Sequence, residues 1–260
     1  MSLDWPFVVA GLVVGFIVGM TGVGGGSLMT PILMHFGIPP SAAVGTDLLY
    51  AAITKAGGVH IHNRHRNINW KVAGWLAAGS LPASALTLVV MHQIGFDSSG
   101  VNSFIKTALG IALILTSLGI IFKKRMLAYS HRNDVWITRI DQRQRDMATL
   151  IVGLVLGVIV TVTSIGAGVV GTVALFLLYP MLPTAKLVGT EIAHAVPLTL
   201  LAGLGHAGVG NLDLPLLGNL LLGSLPGIYM GSHLTSKVSD HYVRPALAAI
   251  LLFTGGKLMM

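Results

Sequence analysis

Four ionisable side chains interrupt long apolar runs of this sequence: Asp47, Lys55, Glu191 and His194. An ionisable group inside an apolar span is costly and by default marks a path for charge. Asp47 and Glu191 each follow Gly-Thr, at equivalent depth near the start of a segment. Two roles fit them: taking up protons, if burial favours the neutral form, or capping a nearby helix start. Lys55 lies two turns after Asp47 on a similar face. It can pair with Asp47, face a negatively charged solute, or extend its stem to the membrane surface.

Two glycine-rich stretches supply a second kind of chemistry. They read Thr21-Gly22-Val23-Gly24-Gly25-Gly26-Ser27 and Thr163-Ser164-Ile165-Gly166-Ala167-Gly168-Val169-Val170-Gly171-Thr172. Glycine permits a sharp turn and a close approach of two chains. Backbone that leaves a helix inside a bilayer is tolerated only when buried in protein or lining a cavity. A helix is expected to restart near Ser27 to Pro31 and near Gly171-Thr172, with free N–H groups and a positive dipole end aimed into the membrane. Two such ends converging from opposite faces make an anion site. Its expected donors are the hydroxyls of Thr21, Ser27, Ser164 and Thr172 and the backbone of Gly22, Gly24, Gly25, Gly26, Gly166, Gly168 and Gly171. Thr46 and Thr190, beside the carboxylates, join the binding set. Asp47, Glu191, Lys55 and His194 are candidates for coupling or gating. The competing reading of any single glycine is close helix packing.

Other chemistries find little support. The run His60-Ile61-His62-Asn63-Arg64-His65 has histidines at metal-like spacing, but Arg64 and Arg66 stand beside them with no cysteine or carboxylate near. A cation site there is electrostatically poor, so no metal and no cofactor is expected. His62 and His206 read instead as helix-end partners of Asn67 and Asn211. The glycine stretches lack Gly-Lys-Ser/Thr and are not phosphate loops. No Gly-x-Ser-x-Gly elbow supports a hydrolase built on Ser164 or Ser27 with His194.

The elements that must hold these groups follow from composition. Of 260 residues, 53% are hydrophobic and 10% charged, with mean hydropathy +0.80 and no cysteine. A soluble domain carries about 25% charged residues. The chain therefore reads as an all-α polytopic membrane protein, not an enzyme. Seven Lys and Arg lie between Lys123 and Arg145 and three between Arg64 and Lys71. Bunching between apolar runs is a topology signal rather than a nucleic-acid patch. The acidic start, Met1-Ser-Leu-Asp4, has no small-residue cleavage site after its apolar run, so a cleaved signal peptide is not expected.

Shifting the sequence by 144 positions aligns 22–82 with 166–226, with sixteen identities. They include Val44-Gly45-Thr46 with Val188-Gly189-Thr190, His62 with His206, Asn67 with Asn211, and Gly79-Ser80-Leu81-Pro82 with Gly223-Ser224-Leu225-Pro226. Single crossings are expected at 41–60, 70–91, 103–122, 185–204, 214–233 and 245–260. Segments 5–36 and 149–180 are too long for one crossing and too short for two. Equivalent loops of the two copies carry opposite charge signatures, so the copies are expected as inverted-topology repeats. Each is a glycine-broken re-entrant helical hairpin plus three transmembrane helices. Residues 1–122 form the first repeat, 123–147 a basic cytoplasmic linker and 148–260 the second, with both termini outside. Within the linker, Trp136, Ile137 and Ile140 suggest a short interfacial segment lying on lipid.

Thr21-Gly-Val-Gly-Gly-Gly, Gly45-Thr46-Asp47, Asn67 and Gly79-Ser80-Leu81-Pro82, each echoed after residue 163, resemble the sulfite exporter TauE/SafE family. The resemblance spans nearly the whole chain. It implies two related halves and a prokaryotic plasma-membrane permease for sulfur anions such as sulfite, sulfonates, sulfoacetate or thiosulfate. The second tip carries fewer glycines than the pattern, and Glu191 replaces a smaller polar residue. The expected function is secondary transport of a small sulfur oxyanion by alternating access, most simply export. The alternative is a proton- or cation-coupled transporter of another small ion or metal.

Overall fold

The computed structural model describes residues 3–21, 26–95, 99–130, 141–234 and 240–259. Every regular element among them is a helix: α1 (Trp5–Thr21), α2 (Gly26–His35), α3 (Pro40–Arg64), α4 (Trp70–Ile94), α5 (Ser99–Ser130), α6 (Gln142–Thr163), α7 (Val169–Leu178), α8 (Thr184–Gly208), α9 (Leu214–Leu234) and α10 (Asp240–Met259).

Local chemistry sets the ends. Pro39 and Pro183 precede α3 and α8 with φ near −55°, and the ring's fixed φ suits the chain leading into a first turn. Asn69 caps α4 by accepting from the Val72 N–H at 3.3 Å. Its equivalent Asp213 caps α9 through the Leu216 N–H at 2.8 Å. A capping box of Asp141 and Gln144 opens α6. That helix ends at Ser164 in the left-handed region, φ 57°, and Gly166 follows at φ 118°. These two bends turn the chain into α7.

Among the described residues, five helices are long and apolar enough to cross a membrane: α4, residues Gly100–Phe122 of α5, α6, α8 and residues Leu214–His233 of α9. The chain is a multi-pass membrane protein. Large apolar side chains point outward where lipid would lie, such as Leu86, Val89 and Ile94 on α4 and Ile111, Leu115 and Leu118 on α5. The expected crossings at 41–60 and 245–260 fall on α3 and α10, which do not qualify on length and hydropathy alone. In α3 the cause is polar content: Asp47, Lys55, His60 and His62. Its first half, through Ala52, is shielded by protein instead, packed among α2, α8 and α9.

The two helical arms of each broken segment are unequal in length. The arms have 17 and 10 residues in α1 and α2, and 22 and 10 in α6 and α7. At 1.5 Å per residue those lengths are about 25 and 15 Å, then 33 and 15 Å. The long arms carry most of the packing. The most extensive helix pairs are α1 with α9, α4 with α6, α3 with α8 and α5 with α10. Gly11, Gly15 and Gly19 of α1 lie against Leu220, Ser224 and Ile228 of α9, so those helices run parallel. Gly153 and Gly157 of α6 lie against Leu76 and Ser80 of α4 in the same sense. The other two pairs are antiparallel, with Leu49 on Gly203 and Ser117 bonded to the Ala248 carbonyl. Small residues at four-residue spacing let the backbones touch, the usual route to helix association in lipid.

The connection expected at 123–147 is shorter than that span, because α5 continues to Ser130 and α6 opens at Gln142. Trp136, Ile137 and Ile140 lie outside the described residues.

Candidate functional site

The start of α2 meets the end of α6. A Cβ on Gly26 would run into the Ser164 carbonyl and lie 3.1 Å from Ser164 Oγ. Only glycine permits this approach between the two broken segments. Thr21 has its side chain, and Gly22, Gly24 and Gly25 their whole structure, outside the described residues. The first tip is therefore represented here by Gly26, Ser27 and Thr30.

Asp47 of α3 is fully buried at this junction. Thr30 Oγ1 donates to its Oδ2 at 2.5 Å. The Ser164 hydroxyl at the end of α6 faces the same carboxylate. Lys55, two turns further along α3, donates through Nζ to the carbonyl of Ala167 in the second tip. Of the three roles open to it, the half-buried side chain turns to the second tip rather than to the membrane surface, within electrostatic reach of Glu191 and Asp47. Glu191 of α8 packs against Gly171 of α7, where a Cβ would sit 3.0 Å from Oε1. That Oε1 has no hydrogen-bond partner. Each carboxylate thus stands beside the start of a short helix, Asp47 by α2 and Glu191 by α7.

At the start of α7, no backbone carbonyl among the described residues takes up the N–H groups of Val169 and Val170. Gly171 donates to Gly166 and Thr172 to Gly168. The Thr172 hydroxyl also donates to Gly168, at 2.6 Å. Gly26, Ser27, Ser164, Gly166 and Gly168 enclose a cavity of about 10 Å³, room for about one water. Thr116 of α5 lines it too, buried and with an unbonded hydroxyl. Sequence reasoning missed Thr30 and Thr116. Thr30 lies one residue short of a full turn after Ser27, a spacing that could have placed it on the same face; Thr116 in its apolar run gave no comparable signal.

Three sequence candidates sit elsewhere. His194 Nε2 pairs with Ser80 Oγ of α4 at 2.8 Å, not with Ser164 or Ser27. Its repeat equivalent, Tyr50, faces Ser224, the equivalent of Ser80. Thr46 and Thr190 reach the loops of the opposite half. Thr190 Oγ1 accepts from the Asn69 N–H at 2.8 Å, and Thr46 Oγ1 from the Asp213 N–H at 3.4 Å. The glycines before them, Gly189 and Gly45, press on the carbonyls of Asn67 and Asn211. The Gly-Thr pair is thus a clamp between halves: the glycine admits the loop and the threonine holds its N–H. Replacing Thr190 by Val leaves the part-buried Asn69 N–H without this partner, at a cost of about 1 kcal/mol. The expected result is a lower thermal unfolding midpoint with an unchanged KM; a raised KM at unchanged stability would make Thr190 a substrate ligand. His62 and His206 likewise close the helix ends, their carbonyls accepting from Asn67 and Asn211 at 2.9 and 3.0 Å. Among the described residues no group of three His, Cys, Asp or Glu could hold a metal ion.

The model of the sulfite exporter TauE/SafE family matches residues 7–258. The chain belongs to the TauE/SafE family. It is similar to the probable membrane transporter protein YjnA of Bacillus subtilis (strain 168), 41% identical over 97% of this chain and 98% of that one. It is also similar to the probable membrane transporter protein MJ0441 of Methanocaldococcus jannaschii, 27% identical over 94% and 91%. The probable membrane transporter protein YdhB of Bacillus subtilis is 28% identical over 92% and 95%. No solved structure matches the chain. TauE/SafE proteins and these relatives are membrane transporters and not enzymes.

Proposed function

We propose that this TauE/SafE protein moves a small sulfur oxyanion, of the sulfite or organosulfonate type, across a prokaryotic plasma membrane by alternating access, with both chain termini outside. The observation that carries the reading is the meeting of Gly26 with Ser164 beside Lys55 and the unengaged amides of Val169 and Val170. Helix-start N–H groups, hydroxyls and one ammonium group are donors suited to an oxyanion. The cavity of about 10 Å³ is too small for the solute, so the tips part to admit it and close around it. Inside-negative potential favours anion exit by about 2.3 kcal/mol per charge per 100 mV. Export then needs no co-ion, and uptake needs protons.

Helix pairing supports an inverted relation between the halves. Exchanging α1 with α6, α3 with α8, α4 with α9 and α5 with α10 leaves the four principal pairs unchanged. The parallel run of α1 with α9 and of α4 with α6 fits it as well. So does the ion pair of Lys71 and Asp146 at 2.9 Å, which joins two helix starts expected on the cytoplasmic face.

One observation favours a coupled variant of this reading: two carboxylates, Asp47 and Glu191, are buried in the junction, and Glu191 Oε1 has no hydrogen-bond partner. The test is flux of sulfite, sulfoacetate and thiosulfate into proteoliposomes, with and without a pH gradient. Wild-type protein is expected to carry at least one of them. If a pH gradient drives that flux, Asp47→Asn should abolish the gradient dependence. Full gradient-driven flux in Asp47→Asn removes that carboxylate from coupling, and no flux of any sulfur anion overturns the reading.

A further inference from the structure

Ser27 lines two cavities. One is the closed space between the tips; the other, about 490 Å³, lies between α2, α5 and α10. The walls of the larger one are apolar, with Pro31, Ile32, Ile250 and Phe253 among them. Its cationic groups are Lys106 near the start of α5 and Lys257 near the end of α10, with His35 at the end of α2 also on the wall. From Ser27 to His35 is eight residues of α2, about 12 Å. Lys106 and Lys257 are exposed, and neither has an acidic partner among the described residues.

The two halves differ here. Ala108, Leu109, Leu113 and Thr116 of α5 align with Ala246, Leu247, Leu251 and Thr254 of α10 at a shift of 138. On one side α7 packs closely on α5 at Gly119, where a Cβ would lie 3.1 Å from Val169 Cγ1. On the other side, α2 touches α10 only sparsely. The residue aligned with Gly119 is Lys257. Accordingly Thr116 faces the closed cavity, while Thr254 faces the open one.

We infer that the cavity between α2, α5 and α10 is the access vestibule through which a small oxyanion reaches the tips, with Lys106 and Lys257 collecting it at the mouth. The inference rests on the tip junction being the anion site. A cationic mouth over low-dielectric walls focuses the field and raises the local anion concentration. Between the mouth and Ser27 the wall is mainly apolar, with the Thr254 hydroxyl its one neutral polar group among the described residues. An anionic lipid headgroup presents the same chemistry at the mouth, so the test separates the two sources.

The sequence has no cysteine, so Thr254→Cys introduces a sole thiol; Ile250→Cys serves if that variant does not fold. Proteoliposomes of phosphatidylcholine are treated with the 2-sulfonatoethyl or the 2-trimethylammonioethyl methanethiosulfonate. The anionic reagent is expected to react about tenfold faster at low salt. The preference should vanish in Lys106→Gln/Lys257→Gln and at about 1 M salt, where the Debye length is near 3 Å. Equal rates, no modification at either position, or a preference lost when phosphatidylglycerol replaces phosphatidylcholine would overturn the inference, the last in favour of a lipid site. Labelling is read without transport. A persisting preference with no sulfite flux sinks the transport reading and spares the vestibule; flux without the preference does the reverse.

Discussion

Replacing Lys55 by Met is expected to lower anion flux at least about 100-fold while the protein remains folded. The ammonium group is held on the Ala167 carbonyl and feels the charge of both Glu191 and Asp47. Removing one partner from a buried charge group costs about 3–5 kcal/mol, and 3 kcal/mol is more than a hundredfold in an equilibrium. Here the loss falls on the solute, because what remains around the tips is two carboxylates and no cation. Lys55→Arg keeps the charge and should recover a measurable part of the flux. Substrate-concentration curves in proteoliposomes read both variants, with size-exclusion profiles controlling for folding. Wild-type flux in Lys55→Met would make Lys55 a structural strut and remove the cation from the anion site.

The second large effect concerns folding. A Cβ on Gly227 of α9 would meet the Leu12 carbonyl and lie 2.9 Å from the Phe16 nitrogen of α1. Those atoms are backbone, so the clash cannot be relieved by a rotamer change. Gly227→Leu should force α1 from α9 along their shared length, at a cost above the 1–3 kcal/mol of ordinary overpacking. The expected outcome is little or no monodisperse protein after detergent extraction. Gly74→Leu, at a position with nothing within 4 Å of the added Cβ, should purify like wild type. Equal yields from the two variants would mean that the α1–α9 contact is not what holds the long arms.

These two cases mark what was legible in the sequence. Both breaks, both carboxylates and the doubling of the motifs could be read from residue types and spacing, because each is a local signal repeated at one shift. The structure sets Asp47 against Thr30 of α2 and Glu191 against Gly171 of α7, whereas the sequence left proton uptake and helix-start capping equally open for both. The target of Lys55 was not legible: Ala167 is 112 residues away, and helical spacing fixes a face without fixing what packs on it. For the same reason Thr46 and Thr190 read as ligands when their hydroxyls clamp loops of the opposite half. Gly79 and Gly223 carried a repeat signal whose cause, contact with the backbone of a long arm, lies in tertiary packing. Unequal arms were hidden because hydropathy averages over a break and does not locate it.

The central claim is that the two tips together bind the anion. Selenite is a close electronic relative of sulfite, and its selenium can be located by anomalous diffraction from crystals of the full chain. The account places that selenium between Ser27 and Ser164, within about 4 Å of the Val169 and Val170 nitrogens, as hydrogen-bonded oxygens require. Selenium bound elsewhere in the helices, with Gly26 still closed against Ser164, would contradict it.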